Sequence, residues 1–179
     1  MLGQRNVYLI GPMGSGKTAV GRRLAALLGK QFLDSDAEIE KRTGVDVRYI
    51  FEKEGEARFR VREREVLADL TALDGVVVAT GGGVVLDVAN RERLVATGTV
   101  VYLETNIETL VRRTKAAKTR PLLMNDDPRA VLERLMVTRR PLYEQTADLR
   151  VETTGRQVRA VAVDIQQRLA HRVAKPSST

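Results

Sequence analysis

The run Gly11-Pro12-Met13-Gly14-Ser15-Gly16-Lys17-Thr18 constrains this chain more than any other stretch. It fits G-x-x-x-x-G-K-[ST], a loop that binds the phosphates of a nucleoside triphosphate. Glycines let the backbone curl until successive N–H groups point inward at phosphate oxygens. A helix that starts at the end of the loop adds the positive end of its dipole. Lys17 can reach the terminal phosphates, and the Thr18 hydroxyl can ligate Mg²⁺. Such a loop works only between a strand and a helix, and the flanks supply both. Val7-Tyr8-Leu9-Ile10 is a short apolar run. Val20, Leu24, Leu27 and Leu28 then recur at helical spacing across Thr18–Leu28, with Gly29 as the stop.

The same alternation continues. Phe32-Leu33 reads as a short strand running into Asp34-Ser35-Asp36. Helical pieces follow to Leu70, punctuated by Gly44 and Gly55. Val76-Val77-Val78-Ala79 is apolar without alternation, as expected of a strand buried on both faces, and it ends at Gly81-Gly82-Gly83. A helix from about Asp87 to Ala96 leads to a strand at Val100–Leu103. Asn106 then caps a helix reaching about Lys115. The stretch from Ala116 to Asp127 is basic and then polar, contains Pro121 and has no sustained period; it reads as a mobile lid loop. Pro128 opens a helix expected to end near Arg140. Leu149-Arg150-Val151 is the last strand. The final helix carries Val158, Val161, Ala162, Ile165 and Leu169 on one face, before a tail from about 174 to 179 that is expected to fray.

Strand, helix, strand, helix predicts an α/β fold, a parallel sheet with helices on both faces. Ligands then bind beyond the carboxyl ends of the strands. The Gly11–Thr18 loop, the Asp34/Asp36 pair and the triple glycine all fall at such ends, so they should converge on one edge.

The 179 residues suit a single domain, and 43% apolar with 30% charged residues favours a packed core over disorder. No apolar run approaches the ~20 residues needed to span a bilayer. The first residues pass directly into a strand, without the pattern of a secretory signal. The absence of cysteine excludes disulfides, a thiol nucleophile and thiolate-bound metals, and His171 is the only histidine. A cytoplasmic setting, no membrane partner and a monomer are the expectations. The net charge of +7 admits nucleic-acid binding or a solvated basic surface around an anion cleft. Basic residues alternate with acids, as in Arg60-Val61-Arg62-Glu63-Arg64-Glu65. With three phenylalanines, four tyrosines and no tryptophan, base stacking is poorly supplied, so no nucleic-acid partner is expected.

The remaining motifs must select the phosphate acceptor. On an extended chain the Asp34 and Asp36 carboxylates face the same side. One can hold Mg²⁺, directly or through water, and the other can accept a hydrogen bond from an acceptor hydroxyl. Asp36 also stands where a helix N-cap would, ahead of Ala37-Glu38-Ile39-Glu40. Three glycines after a buried strand leave bare N–H groups that a ligand can approach closely. Arg60 and Arg139 can each bind a carboxylate through two parallel N–H bonds, which suits a small anionic acceptor. Glu63, one helical turn after Arg60, can hold that guanidinium in place. Arg120, in the lid, can close over the triphosphate and neutralise transition-state charge.

In this order and spacing, the phosphate loop, Asp34-Ser35-Asp36, Gly55-Glu56-Ala57-Arg58-Phe59-Arg60, Ala79-Thr80-Gly81-Gly82-Gly83, Thr119-Arg120-Pro121-Leu122-Leu123 and Arg139-Arg140-Pro141-Leu142-Tyr143 closely resemble the shikimate kinase family, from about Asn6 to Val151. The resemblance implies a P-loop NTPase fold like that of the nucleoside monophosphate kinases, with a five-stranded parallel sheet in the order 2-3-1-4-5. It implies transfer of the ATP γ-phosphate to the 3-hydroxyl of shikimate, giving shikimate 3-phosphate and ADP, a step toward chorismate and the aromatic amino acids. Shikimate would contact Asp36, Arg60, Gly82 and Arg139. ATP would contact Gly14, Ser15, Gly16, Lys17, Thr18, Ala19 and Arg120, with Arg156 on the adenine side and Arg113 flanking the ring. Thr18 would ligate one Mg²⁺, where many members have serine, and Asp34 would hold a metal-bound water. Lys17, Asp36 and Arg120 would be the catalytic groups, Asp36 mainly orienting the acceptor. A gluconate or nucleoside monophosphate kinase is the nearest rival, and neither is expected to carry the triple glycine with Arg60 in this arrangement. A GTPase switch would need an N-K-x-D base reader, which the sequence lacks.

Overall fold

A computed structural model describes residues 5–116 and 127–174. The strands are β1 (Asn6–Ile10), β2 (Gln31–Asp34), β3 (Val76–Ala79), β4 (Gly98–Glu104) and β5 (Leu149–Glu152). They form one parallel sheet in the order β2-β3-β1-β4-β5. The helices are α1 (Lys17–Leu28), α2 (Ser35–Thr43), α3 (Val47–Glu54), α4 (Glu56–Thr71), α5 (Val88–Thr97), α6 (Ile107–Ala116), α7 (Pro128–Thr146) and α8 (Val158–Ala174). No described helix is long and apolar enough to cross a membrane.

The central strands read as unbroken apolar runs because both their faces are covered. Tyr8, Ile10, Val76, Val78, Val100 and Tyr102 enter one core with Leu67, Leu94 and Tyr143. Val7, Leu9, Val77, Val101 and Leu103 enter the other, with Val20 and Leu24 of α1 and Ile165 and Leu169 of α8. The period of two is present, but both phases are apolar. Each fully buried side chain of this size contributes roughly 1.5–3 kcal/mol. Together they make the sheet a rigid floor for the loops at its carboxyl edge.

Register sets that edge. Leu9 and Asp34 each pair with Ala79, so β1, β2 and β3 finish side by side. The phosphate loop, the aspartates and the triple glycine leave the sheet there.

Helix α7 departs from expectation. It continues past Arg140 and through Pro141 to Thr146. A proline inside a helix removes one ladder bond and normally breaks it. Here the turn beyond Pro141 is anchored by tertiary contact. Tyr143 is 0% exposed and stacks on Tyr102, with ring centroids 5.1 Å apart. That anchor lies in β4, about forty residues earlier in the chain, so local pattern gives no sign of it.

Candidate active site

The phosphate loop adopts the curled form its glycines permit. Gly11, Gly14 and Gly16 have φ of 147°, 82° and 92°. Gly16 is the left-handed N-cap of α1 and offers no side chain to satisfy the first amides; the first turn carries no acid. The N-terminal end of α1 is therefore available to an anion. The buried Ser15 hydroxyl has no hydrogen-bond partner among the described residues, so the cradle has polar capacity to spare. Lys17 is folded back over the loop, its Nζ donating to the carbonyls of Gly11 at 2.6 Å and Pro12 at 2.9 Å. Arg113, from α6, donates to the Gly14 carbonyl at 2.9 Å and brings that helix over the loop. Ala19 is exposed on the first turn of α1.

The two aspartates part company. The chain is not extended through them: β2 ends at Asp34 and α2 starts at Ser35. The helix cap is Asp34, not Asp36. Its Oδ1 accepts from the Asp36 and Ala37 amides at 3.0 and 3.1 Å. Its Oδ2 accepts from the Thr18 hydroxyl at 2.9 Å, which joins the end of β2 to the phosphate loop. Asp36, one residue inside the helix, points to a second site.

That site is a cavity of about 450 Å³ bordered by Asp36, Arg60, Glu63, Gly81–Gly83 and Arg139, with Met13, Phe51 and Phe59 adding apolar wall. The four side chains come from three helices: Asp36 from α2, Arg60 and Glu63 from α4, Arg139 from α7. Arg139 is 4% exposed and Glu63 only 1%. Arg60 donates to Glu63 at 2.9 Å and to Glu56 at 3.0 Å, as the i, i+3 and i, i+4 spacings allow. Burial works against the Arg60 charge, but these two carboxylates raise its proton affinity above the ordinary guanidinium range. Burial also pushes the Glu63 carboxyl up to about 7, aided by Asp36 and opposed by Arg60 and Arg139. Glu63 Oε2 has no hydrogen-bond partner among the described residues.

The triple glycine explains the tight assembly. Unlike the phosphate-loop glycines, none of the three has a positive φ. At Gly81 and Gly83 glycine is required by what lies around them. A Cβ on Gly81 would stand 2.8 Å from Glu63 Oε2 and 2.9 Å from Asp36 Oδ1. One on Gly83 would clash with Nη2 of the Arg60 guanidinium and stand 2.5 Å from its Nη1. At Gly82 it would meet Met13 N at 3.4 Å, Arg139 Nη1 at 3.5 Å and the Gly11 carbonyl at 3.6 Å. The turn is thus the partition between the cavity and the phosphate loop.

Two residues here escape sequence reasoning. Ser35 accepts from the Gly81 amide at 3.0 Å, and Tyr143 donates to the Gly82 carbonyl at 2.5 Å. Both stand inside quoted motifs, but a lone hydroxyl carries no signal of what it will reach. Arg156 lies after β5, outside this cavity, where its guanidinium donates to the Glu152 carbonyl at 2.9 Å and to Asp164 at 3.1 Å. Arg120 and most of the expected lid lie outside the described residues.

A family model described as shikimate kinase matches residues 13–170. A shikimate kinase of Halorhodospira halophila is 55% identical over 91% of this chain and 92% of its own length. One of Shewanella sediminis is 52% identical over 94% of this chain and 99% of its own. Among solved structures, shikimate kinase from Acinetobacter baumannii in complex with shikimate superposes with a TM-score of 0.93 at 48% identity, covering 96% of each chain. The Aquifex aeolicus shikimate kinase superposes at 0.82 with 36% identity, over 94% of this chain and 98% of that one.

Proposed function

The chain belongs to the shikimate kinase family and transfers the γ-phosphate of ATP to the 3-hydroxyl of shikimate; we propose that the transfer runs across the glycine partition, with shikimate in the 450 Å³ cavity and ATP on the loop. The observation that carries this reading is the meeting of Asp36, Arg60, Gly82 and Arg139 around one cavity whose wall abuts Gly11 and Met13 of the phosphate loop.

Shikimate is a small carboxylate bearing several hydroxyls. Arg60 and Arg139 hold its carboxylate through paired N–H bonds. The Gly82 amide and Asp36 take hydroxyls. Phosphoryl transfer depends mostly on positioning and charge neutralisation, so Asp36 need only orient the 3-hydroxyl. Glu63 keeps Arg60 in place. On the other side, the loop amides of Gly14 to Ala19 cradle the phosphates, and Lys17 exchanges the Gly11 and Pro12 carbonyls for phosphate oxygens. Arg113 and Arg156 serve the nucleoside side.

An ATP-using kinase of this kind works with a divalent ion. The Thr18 hydroxyl and Asp34 carboxylate, 2.9 Å apart beside the loop, are hard oxygen donors that fit Mg²⁺. Thr18 would hold it directly and Asp34 through water. When bound, it neutralises charge on the β- and γ-phosphates. The same reading has the protein acting as a cytoplasmic monomer.

A coupled ADP-release assay with shikimate, gluconate and nucleoside monophosphates tests the assignment. ADP should appear with shikimate and stay near background with the others. No ADP from shikimate would overturn it.

A further inference from the structure

An amide that binds a ligand must be held in orientation, and a run of three glycines has little stiffness of its own. In a trans peptide the C=O and N–H point in opposite directions, so fixing one carbonyl fixes the next amide. Gly81 O accepts from the Val84 amide at 3.2 Å, within the 3-10 turn Val84–Leu86. That local bond sets the direction of the Gly82 N–H. The next peptide has no such partner within its own turn. Its carbonyl, Gly82 O, is held from a distant helix by the Tyr143 hydroxyl at 2.5 Å.

Tyr143 is built for this. It lies four residues after Arg139, on the same face of α7. It is fully buried, and its ring stacks on Tyr102 of β4. Burial raises its proton affinity far above the ordinary phenol range, with Arg139 pulling the other way, so the hydroxyl remains a donor at every working pH. Arg139 Nη1 meanwhile lies against Gly82. A glycine peptide without the Tyr143 bond can flip, reversing the directions of its carbonyl and its N–H.

We propose that Tyr143 is a positioning residue for the acceptor: its hydroxyl ties the Gly82–Gly83 peptide to α7, so that the glycine turn and Arg139 present themselves to shikimate as one unit. The inference rests on the shikimate-kinase reading and deepens it.

Tyr143→Phe keeps the ring, its volume and its stacking, and removes the hydroxyl alone, with its bond to the Gly82 carbonyl and its contact with the Arg139 guanidinium. The KM for shikimate should rise about tenfold, the equivalent of about 1.4 kcal/mol, while the KM for ATP and kcat stay within about threefold. Tyr102→Phe, which strips the hydroxyl from the stacked neighbour, should leave both KM values unchanged. A lowered Tm in Tyr143→Phe with an unaltered KM for shikimate would reduce the residue to a packing role and end the proposal. Should that variant not fold, ¹⁵N-glycine-labelled wild-type protein gives a second test. Saturating shikimate should move the Gly82 and Gly83 amide signals, and a motionless Gly83 signal would also overturn it. A wild-type protein inert toward shikimate would remove the functional reading instead, a result the two tests above cannot mimic.

Discussion

The Gly11–Thr18 loop and the Gly81–Gly83 turn are both glycine-rich, both leave the sheet at its carboxyl edge, and they lie against each other at Gly11, Met13 and Gly82. Glycine serves a different purpose in each. In the loop it permits a backbone that side-chain-bearing residues avoid, as at Gly16 with φ 92°. In the turn the backbone is ordinary, with φ of −96° at Gly83, and glycine is needed because Arg60, Glu63 and Asp36 occupy the space of a Cβ. One requirement is conformational and local. The other is steric and imposed by residues far away in sequence.

The largest effect expected tests the loop side. Lys17→Met should lower kcat by about 100- to 1,000-fold, since the developing phosphate charge loses its cation. Steady-state kinetics giving a near-normal kcat would detach the loop from the chemistry.

A matched pair of glycine substitutions comes next. Gly16→Ala forces alanine into the left-handed region, at about 1–2 kcal/mol, and should raise the KM for ATP about tenfold while sparing shikimate. Gly83→Ala should do the reverse, because the new methyl displaces the Arg60 guanidinium. Identical effects on the two substrates would erase the distinction between the regions.

Arg139→Lys keeps the charge but loses the planar fork. It should raise the KM for shikimate about tenfold, with little change for ATP. Kinetics within about twofold of wild type would mean that charge alone serves on the cavity side.

The smallest effect concerns pH. The Glu63 carboxyl, raised by burial from its ordinary value of 4.5 to about 7, binds its proton more tightly in the folded protein than in the unfolded chain. Its contribution to stability is therefore complete below about pH 4.5 and is lost as pH rises through about 7. Glu63→Gln cannot titrate, so wild type should lose stability relative to this variant between pH 5 and pH 8. Denaturant melts at the two pH values give the comparison; a constant difference would place Glu63 in a wetter setting than its 1% exposure indicates.

The same contrast explains how much was readable. The loop, the strand before it and the helix after it follow from adjacent residues. So does the Arg60–Glu63 pair, since helical spacing alone brings those side chains together. The directions of the Asp34 and Asp36 carboxylates are not legible from spacing alone. An extended chain would put both carboxylates on one side, but α2 begins between them and sends them to different sites. The passage of α7 through Pro141 has no local signal because Tyr143 finds its anchor in β4.

By itself the amino-acid order determined the alternating architecture, the nucleotide loop and the residue types gathered for an anionic acceptor. These depend on backbone preference and on spacings of a few residues. Only the folded chain decided that Glu63 would be desolvated, that Tyr143 would tether a glycine peptide and that Gly81 and Gly83 would leave room for a guanidinium and two carboxylates. Those outcomes are set by distances between groups tens of residues apart, which exist once the sheet and its helices have packed.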